Sequence, residues 1–400
     1  MSVRLAIFAA LAAAPFSVQL RAQTTLKDAF QDFFRVGAAL QRSYYDGTNA
    51  GGAALVAAQF NSISPENDLK WEVIHPSPGT YNFDPADHYV DFGEKNRMFV
   101  IGHCLIWHSQ VPHWVFEDDK GQEVTREELL RRMHDHIAKV VGRYQGRVSG
   151  WDVVNEALND DGSLRRSPWQ RVIGDDYIAK AFQFAHEADP KAELYYNEYS
   201  IENEAKRKGC VELIKKLLAQ GIPVKAVGIQ GHYHMDWPSM DQVDATIGAL
   251  AALGVKVNIT ELDLDVLPRV RRGNSADINA RAEVTPESNP YTAGLPQEQQ
   301  TALADRYAAL FKVFVKHRDA ITRVTFWGVT DKGSWLNNFP ARGRTNYPLL
   351  FDREGKPKPA FDAVIAVAKA AGASGAVRPP RAPGFEVATP KPPQLPTASQ

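Results

Sequence analysis

Cysteine is scarce in this chain of 400 residues, with Cys104 and Cys210 alone present. At most one disulfide bridge can form, so a disulfide framework is excluded, and the sequence does not say whether that bridge forms. Zinc sites built on cysteine are excluded by the same count. We expect two buried thiols and a fold that is stabilised by its hydrophobic core.

An excess of charge is also missing, because 46 Lys and Arg residues face 47 Asp and Glu residues and the formal net charge is -1. A nucleic-acid-binding surface needs a clustered basic excess, so we expect no nucleic-acid partner. A neutral polymer is a more natural partner than a polyanion. The 8 Trp and 13 Tyr residues could stack on sugar rings, although by number most aromatic rings should pack in the core.

Long apolar runs are absent beyond the N-terminus, where none reaches the roughly 18 residues of a membrane span. At the N-terminus, Arg4 precedes an apolar run over 5–14, Pro15 interrupts it, and small residues lead to Leu20-Arg21-Ala22. This pattern is typical of a secretory signal peptide. We predict a signal peptide over 1–22 and a secreted or periplasmic mature protein that has no membrane segment.

Short apolar runs recur along the chain, at 33–40, 60–64, 99–107, 148–154, 194–199, 226–232, 255–261 and 321–330. Most are continuous and do not alternate, as in parallel strands that are buried on both faces. Helical patterns separate them, at 126–141 with Thr125 as the N-cap, 178–188, 204–218, 240–253 and 297–316. The alternation predicts an α/β fold, a (β/α)8 TIM barrel that forms a single catalytic domain over 23–371.

A doubly wound sheet is the competing fold, but its glycine-rich phosphate loop is missing, since Gly51-Gly52 fits neither nucleotide-binding fingerprint.

Two segments fall outside the repeating pattern. Residues 268–295 form a long charged loop directly after the seventh strand, and loops of this length are often functional. Residues 372–400 are rich in Pro and Ala and read as a disordered tail.

Polar side chains follow nearly every predicted strand, at the end where barrel enzymes place their active sites. Glu156 and Glu261 each come directly after an apolar strand, the fourth and the seventh, which we expect on opposite sides of the barrel mouth. Glycoside hydrolysis needs such a pair of carboxylates. At about 5.5 Å and an effective dielectric constant of about 20 they would repel by about 3 kcal/mol. One glutamate could then stay protonated near pH 6 while the other is ionised.

The histidines allow a different reading. His232 and His234 form an HxH pattern at a strand end and could lie on one face, so a metal-dependent hydrolase stays open as the weaker alternative. His134 and His136 lie on a predicted helix, and we expect both at the surface. We predict no metal and no cofactor.

The strand-end motifs resemble those of glycoside hydrolase family 10, the barrel endo-β-1,4-xylanases. The resemblance spans roughly residues 26–370, and its motifs are PENDLKW at 65–71, GHCLIWH at 102–108, WDVVNEA at 151–157, GIQGHYH at 228–234, ITELD at 259–263 and TFWGVTDKGSW at 325–335. WDVVNEA and ITELD at this separation are highly specific together. Asn-Glu after the fourth strand is shared by a wider clan of barrel glycosidases.

The resemblance implies a role for each matching residue. Glu156 would be the acid/base and Glu261 the nucleophile of a retaining mechanism, with His232 orienting Glu261 and Asp263 supporting His232. Asn155 would bind the sugar 2-hydroxyl, and Tyr199 would lie on the aglycone side. The glycone-side residues would be Glu66, Asn67, Lys70, His103, Trp107, Gln230, Trp327 and Trp335. The implied partner is xylan or a xylo-oligosaccharide, bound by a monomer.

The chain departs from the family pattern in two places. Glu198 stands where many members carry Asp, and the 268–295 loop is longer than in compact members. We hypothesise that this loop walls the aglycone subsites; a disordered insertion is the alternative.

The alternatives for function are a related β-1,4-glycanase of the cellulase type, and a catalytically silent sugar-binding barrel.

Overall fold

The computed structural model describes residues 24–270 and 282–373. Strands and helices alternate along nearly all of this part of the chain. The predicted signal peptide, residues 271–281 of the long loop and residues 374–400 of the predicted tail lie outside this part. The strands are β1 (Arg35–Leu40), β2 (Ser62–Pro65), β3 (Phe99–Ile106), β4 (Gly150–Asn155), β5 (Glu193–Glu198), β6 (Ala226–Ile229), β7 (His232–His234), β8 (Lys256–Asp265) and β9 (Ile321–Phe326).

The helices lie between the strands. They are α1 (Leu26–Ala29), α2 (Ala50–Gln59), α3 (Trp71–Ile74), α4 (Asp84–Lys95), α5 (Arg126–Arg143), α6 (Pro168–Ile173), α7 (Tyr177–Ala188), α8 (Glu204–Ala219), α9 (Met240–Ala251), α10 (Gln297–Lys316) and α11 (Pro359–Ala373). Over residues 24–270 and 282–373, none of them has the length and apolar character needed to cross a membrane.

Parallel pairing closes the sheet into a barrel. The strands follow in the order β1 to β6, then β8 and β9, and β9 pairs with β1. The short strand β7 is an addition that pairs only with the second half of β8. The predicted (β/α)8 barrel is therefore confirmed, with β8 and β9 as its seventh and eighth strands.

Local sequence signals set several helix starts. Thr125 caps α5 by accepting a hydrogen bond from the Glu128 backbone N–H, as predicted. Ser239 and Gln242 form a reciprocal capping box at the start of α9. Helix α10 has the predicted bounds, directly after Pro296.

The predicted sixth strand, 226–232, is interrupted. Gly231 has a φ of +85°, a left-handed conformation that glycine adopts at little cost, and it separates β6 from β7. The chain turns there, and His232 pairs in register with Asp263 of β8. Continued in the register that pairs Ile229 with Ile259, the strand would have placed His232 opposite Leu262, one residue before Asp263.

The described part of the long loop, 282–295, is held by hydrogen bonds to the segment after β9. The Ala282 N–H donates to the Pro340 carbonyl at 3.0 Å, and the Thr345 N–H donates to Asn289 Oδ1 at 2.8 Å. The Tyr347 hydroxyl donates to the Tyr291 carbonyl at 2.8 Å. This part is thus an ordered layer over the loop that follows the eighth barrel strand.

Candidate active site

A cleft of about 950 Å³ lies at the carboxyl ends of the barrel strands. Every side chain that the sequence predicted for the site lines it: Glu66, Asn67, Lys70, His103, Trp107, Asn155, Glu156, Tyr199, Gln230, His232, Glu261, Asp263, Trp327 and Trp335. The barrel therefore brings all of the predicted site residues together. Their roles remain predictions.

Glu156 directly follows β4 and lies in the cleft floor, with 9% of its surface exposed. Its φ of +57° places it in the left-handed region, which non-glycine residues rarely adopt. Trp107 Nε1 donates to its Oε2 at 2.8 Å, and Gln230 Nε2 donates to its Oε1 at 2.8 Å. Both carboxylate oxygens are therefore fixed by neutral donors.

Glu261 lies within β8 and is 5% exposed. Asn197 Nδ2 donates to its Oε1 at 2.7 Å, and His232 Nε2 lies 3.0 Å from its Oε2. The other ring nitrogen of His232, Nδ1, lies 2.9 Å from Asp263 Oδ1. Glu261 is thus the carboxylate with an imidazole partner.

One hydrogen-bond network joins the two glutamates. Asn155 Oδ1 accepts from Asn197 Nδ2 at 2.9 Å and from Gln230 Nε2 at 3.4 Å. Asn197 contacts Glu261, and Gln230 contacts Glu156. Strands β4 and β8 are separated by β5 and β6 around the barrel, and the amides from the ends of those two strands span the gap.

Asn197 contacts Glu261 in the site, although no role was predicted for it. Thr260 Oγ1 donates to its Oδ1 at 2.7 Å, which fixes the amide so that Nδ2 points to Glu261 and Asn155. The sequence signal that could have identified Asn197 is its position at the end of an apolar strand. The direction of the amide depends on Thr260, 63 residues away along the chain, and no local pattern shows it.

His232 lies between two carboxylates. Burial would lower its pKa, but the charges and hydrogen bonds of Asp263 and Glu261 outweigh burial and raise the pKa of His232 to about 10. Trp335 Nε1 holds the far oxygen of Asp263 at 2.7 Å. His232 is therefore an imidazolium that contacts both Glu261 and Asp263.

One of the two glutamates was expected to have a raised pKa, and Glu156 does not. Burial raises it, but the charge of His108 and the hydrogen bonds from Gln230 and Trp107 bring the pKa of Glu156 below its usual value. A raised pKa from mutual repulsion is expected only for two carboxylates without charged neighbours. In the structure a cationic His232 lies against Glu261 and compensates its charge.

On the side of the cleft formed by the first three strands, Lys70 is the central group. Its Nζ donates to Asn67 Oδ1 at 3.1 Å and to Gln110 Oε1 at 2.8 Å, and it lies 5.1 Å from the centre of the Trp107 ring. Gln110 also lines the cleft and was not predicted. Burial raises the pKa of Glu66 beside this cluster, although the charge of Lys70 opposes the shift.

His103 is buried beneath the cleft, with 2% of its surface exposed. Its Nδ1 lies 2.9 Å from Asp152 Oδ2, and its ring meets the Trp327 ring edge to face at 5.4 Å. The carboxylate orients the imidazole so that Nε2 is the nitrogen left to contact a ligand.

The opposite side of the cleft is formed by residues that follow β5, β7 and β8, among them Tyr199, Trp237 and Arg269. Arg269 and Val270, the second and third residues of the long loop, line the cleft, and residues 271–281 lie outside the described part. The proposal that this loop walls the aglycone side is thus supported by its first residues alone.

The prediction for His136 is wrong. His136 is fully buried, its ring stacks on Trp71 at 3.6 Å, and its Nδ1 lies 3.2 Å from Nδ1 of His75. The apolar face of α5 is wider than the spacing suggested, because a stacked imidazole packs there as an aromatic ring. His134 is exposed, as expected. Both cysteines are buried free thiols.

The HxH pattern does not act as a pair, since both ring nitrogens of His232 are occupied by carboxylates. Burial lowers the pKa of His234, although Asp265 opposes the shift. Among the side chains that the structure describes, no three His, Cys, Asp or Glu residues are grouped as metal ligands would be.

Comparisons with known proteins place the chain among glycoside hydrolases. The family model of glycosyl hydrolase family 10 matches residues 25–367. Endo-1,4-beta-xylanase A of Xylanibacter ruminicola is 44% identical over 351 residues, which are 88% of this chain and 95% of that protein. Beta-1,4-xylanase of Dictyoglomus thermophilum is 41% identical over 344 residues, 85% of this chain and 90% of that protein.

Solved structures give the same result. A GH10 endoxylanase retrieved from a sugarcane soil metagenome superposes with a TM-score of 0.83 at 48% identity, over 86% of this chain and 100% of the other. A mutant chain in complex with xylotriose superposes with a TM-score of 0.78 at 38% identity, over 86% of this chain and 99% of the other.

Proposed function

We propose, since this chain belongs to glycosyl hydrolase family 10, that it hydrolyses internal β-1,4-xylosidic bonds of xylan with retention of anomeric configuration. The observation that carries the proposal is the pair Glu156 and Glu261, which lie at the two ends of one hydrogen-bond network in the cleft. The names of the similar proteins support xylan as the substrate.

The two glutamates take different roles because their surroundings differ. Glu261 Oε2 lies 3.0 Å from the imidazolium of His232, and we propose it as the nucleophile, which attacks as a carboxylate. Glu156 has only neutral hydrogen-bond donors on its oxygens and can exchange a proton. We propose that Glu156 carries a proton in the enzyme–substrate complex, because a sugar chain that displaces water from the cleft disfavours the charged carboxylate.

The reaction then has two steps. In the first, a Glu261 oxygen attacks the anomeric carbon, the bond to the glycosidic oxygen breaks, and Glu156 gives its proton to that oxygen. In the second, water attacks the anomeric carbon, the bond to Glu261 breaks, and Glu156 takes a proton from the water. Both carboxylates return to their starting states, so no cofactor is consumed.

The substrate-binding roles are proposals as well. Glu66, Asn67, Lys70, His103, Trp107, Gln230, Trp327 and Trp335 would bind the glycone sugars, Asn155 the 2-hydroxyl beside Glu261, and Tyr199 the aglycone. Asp263 would hold His232 in place.

We also propose a secreted monomer with a signal peptide over 1–22, a catalytic domain over 23–371 and a tail over 372–400.

The roles of the two glutamates are separated by the leaving group. Glu261→Ala should lower kcat/KM on xylan and on activated aryl xylobiosides alike, on the order of 10⁴-fold, because both need the nucleophile. Glu156→Ala should lower kcat/KM on xylan by about 10²–10⁴-fold and spare an activated aryl xylobioside, whose leaving group needs little protonation. Glu204→Ala, at an exposed glutamate, is the control.

Equal losses on both substrates for Glu156→Ala would contradict the acid role. Wild-type hydrolysis of xylan by Glu261→Ala would overturn the whole assignment. Cellulose and xylan, offered in parallel to the unmodified protein, distinguish a xylanase from a cellulase-type glycanase.

A further inference from the structure

The backbone that carries Glu156 is held in a strained conformation, and it must hold that carboxylate toward the glycosidic oxygen if the proposed function is correct. A residue at φ +57° costs free energy and persists only where its surroundings enforce it. The three residues 156–158 therefore need partners for their backbone groups. These partners come from β5 and from Arg165.

All of the N–H groups of this turn are bound by the end of β5. The Glu156 N–H donates to the Asn197 carbonyl at 2.9 Å. The Ala157 N–H donates to the Tyr196 hydroxyl at 3.2 Å, and the Leu158 N–H donates to Glu198 Oε2 at 3.1 Å.

All of its carbonyl groups are bound by one residue. Arg165 Nε donates to the Glu156 carbonyl at 3.1 Å, and Nη2 donates to the Leu158 carbonyl at 2.7 Å. The Arg165 backbone N–H donates to the Ala157 carbonyl at 2.7 Å. No backbone group of the turn lacks a protein partner.

Glu198 is the member of this arrangement that carries a charge into the core. It is fully buried and accepts from the Tyr196 hydroxyl at 2.6 Å and from the Leu158 N–H. Its Oε1 lies 3.0 Å from Nζ of Lys206, which is also fully buried. Burial raises the pKa of Glu198 and the charge of Lys206 opposes that shift, so Lys206 favours the ionised carboxylate.

The same groups reach the aglycone side of the cleft. Lys206 Nζ lies 3.0 Å from the centre of the Tyr199 ring, and Arg165 Nη2 donates to the Tyr199 hydroxyl at 3.1 Å. Tyr199 lines the cleft, whereas Glu198 and Lys206 do not. Glu198 and Lys206 can therefore influence a bound substrate only through other residues.

We propose that Glu198, Lys206 and Arg165 are positioning residues for the acid/base: they hold the 156–158 turn so that the Glu156 carboxyl is aimed at the leaving oxygen. Glu198 fixes the N–H side of the turn, Arg165 fixes its carbonyl side, and Lys206 keeps Glu198 charged. The inference rests on the proposed function of Glu156. A misplacement of about 1 Å in a proton donor is enough to cost about 100-fold in rate.

The test uses aryl xylobiosides that share one glycone and differ only in the acidity of the phenol. The full chain is compared with the double variant Glu198→Gln/Lys206→Met, which removes both buried charges together and leaves neither unpaired. With the most acidic phenol, kcat/KM should stay within about twofold of the unmodified chain. With the least acidic phenol it should fall by about tenfold or more, because only that reaction depends on proton donation.

Lys208→Met is the matched control, since Lys208 lies on the same helix with a side chain that is 73% exposed, and it should behave as the unmodified chain. If the double variant does not fold, Arg165→Lys tests the same point from the carbonyl side of the turn, because it keeps the charge and removes the paired contacts with the Glu156 and Leu158 carbonyls. Equal losses across the phenol series, or no loss at all, in a folded variant would overturn the inference. An unmodified chain that is inactive on every substrate would instead overturn the proposed function.

Discussion

Glu156 and Glu261 are the same residue type in the same cleft, and their neighbours set them apart. Glu261 contacts an imidazolium that is itself held by Asp263, whereas Glu156 contacts the neutral donors of Trp107 and Gln230. Division of labour between two carboxylates by their environments is the general solution to acid–base chemistry near neutral pH.

A residue-scale prediction concerns His108. Its positive charge lowers the pKa of Glu156, so His108→Asn should raise that pKa. The basic limb of the pH profile of kcat/KM reports the acid of the free enzyme, and it should move to higher pH. The profile is measured on xylan with Lys208→Met as the control.

A limb that stays in place or moves to lower pH would contradict the electrostatic account of Glu156. The direction is specific, because a general loss of structure would lower the rate at every pH without shifting the limb.

The sequence predicted which side chains lie together in the cleft, but not how they are oriented. Each predicted site residue follows a strand, and strand ends converge at one rim of a barrel. The amide direction of Asn197, set by Thr260, and the ring stacking of His136 on Trp71 depend on residues that are distant along the chain. Periodicity carries no information on such contacts.

At the scale of elements, strand ends and the turns behind them decide the site. The interruption of the sixth strand at Gly231 brings His232 against β8, and the β5 end binds the turn after β4. Continuous apolar runs predicted that strands exist at these places. Their breaks depend on single backbone conformations, as at Gly231, so the sequence predicted one strand where two occur.

A second element-scale feature joins α3, which follows Lys70 of the cleft, to α5. His75 and His136 are buried, and their Nδ1 atoms lie 3.2 Å apart, so one nitrogen donates and the other accepts. Burial, together with the charge of Lys139, lowers the pKa of His75 to about 4. Burial also lowers the pKa of His136. Protonation of the accepting ring at Nδ1 would place two N–H groups against each other.

We therefore predict that acid weakens this contact. A histidine whose pKa is lower in the folded state contributes stability that is fully present above the unfolded value of about 6.5. That contribution is lost as pH falls toward the folded value near 4. His75→Phe should make the free energy of unfolding less dependent on pH by about 3 kcal/mol across this window.

Denaturant unfolding at pH 7 and at pH 4 measures this difference. His113→Gln is the control, because the His113 side chain is 96% exposed. An unchanged pH dependence in His75→Phe would contradict the role of the pair.

At the scale of the whole molecule, closure of the barrel is what makes the separate motifs into a site. Residues that follow β2 and β3 form one side of the cleft, those that follow β5, β7 and β8 form the other, and the glutamates lie between them. The fold was predictable because parallel strands buried on both faces leave a distinct pattern. The path of residues 282–295 along the 340–347 segment was not, since it rests on individual hydrogen bonds between two loops.

The central claim, that Glu261 forms a bond to the sugar which water then breaks, is tested most directly by the anomeric form of the first product. Proton NMR during hydrolysis of xylan, recorded before mutarotation, should show the β-anomer appearing first and the α-anomer growing only afterwards. Initial release of the α-anomer would show a single displacement by water and would contradict the nucleophilic role of Glu261.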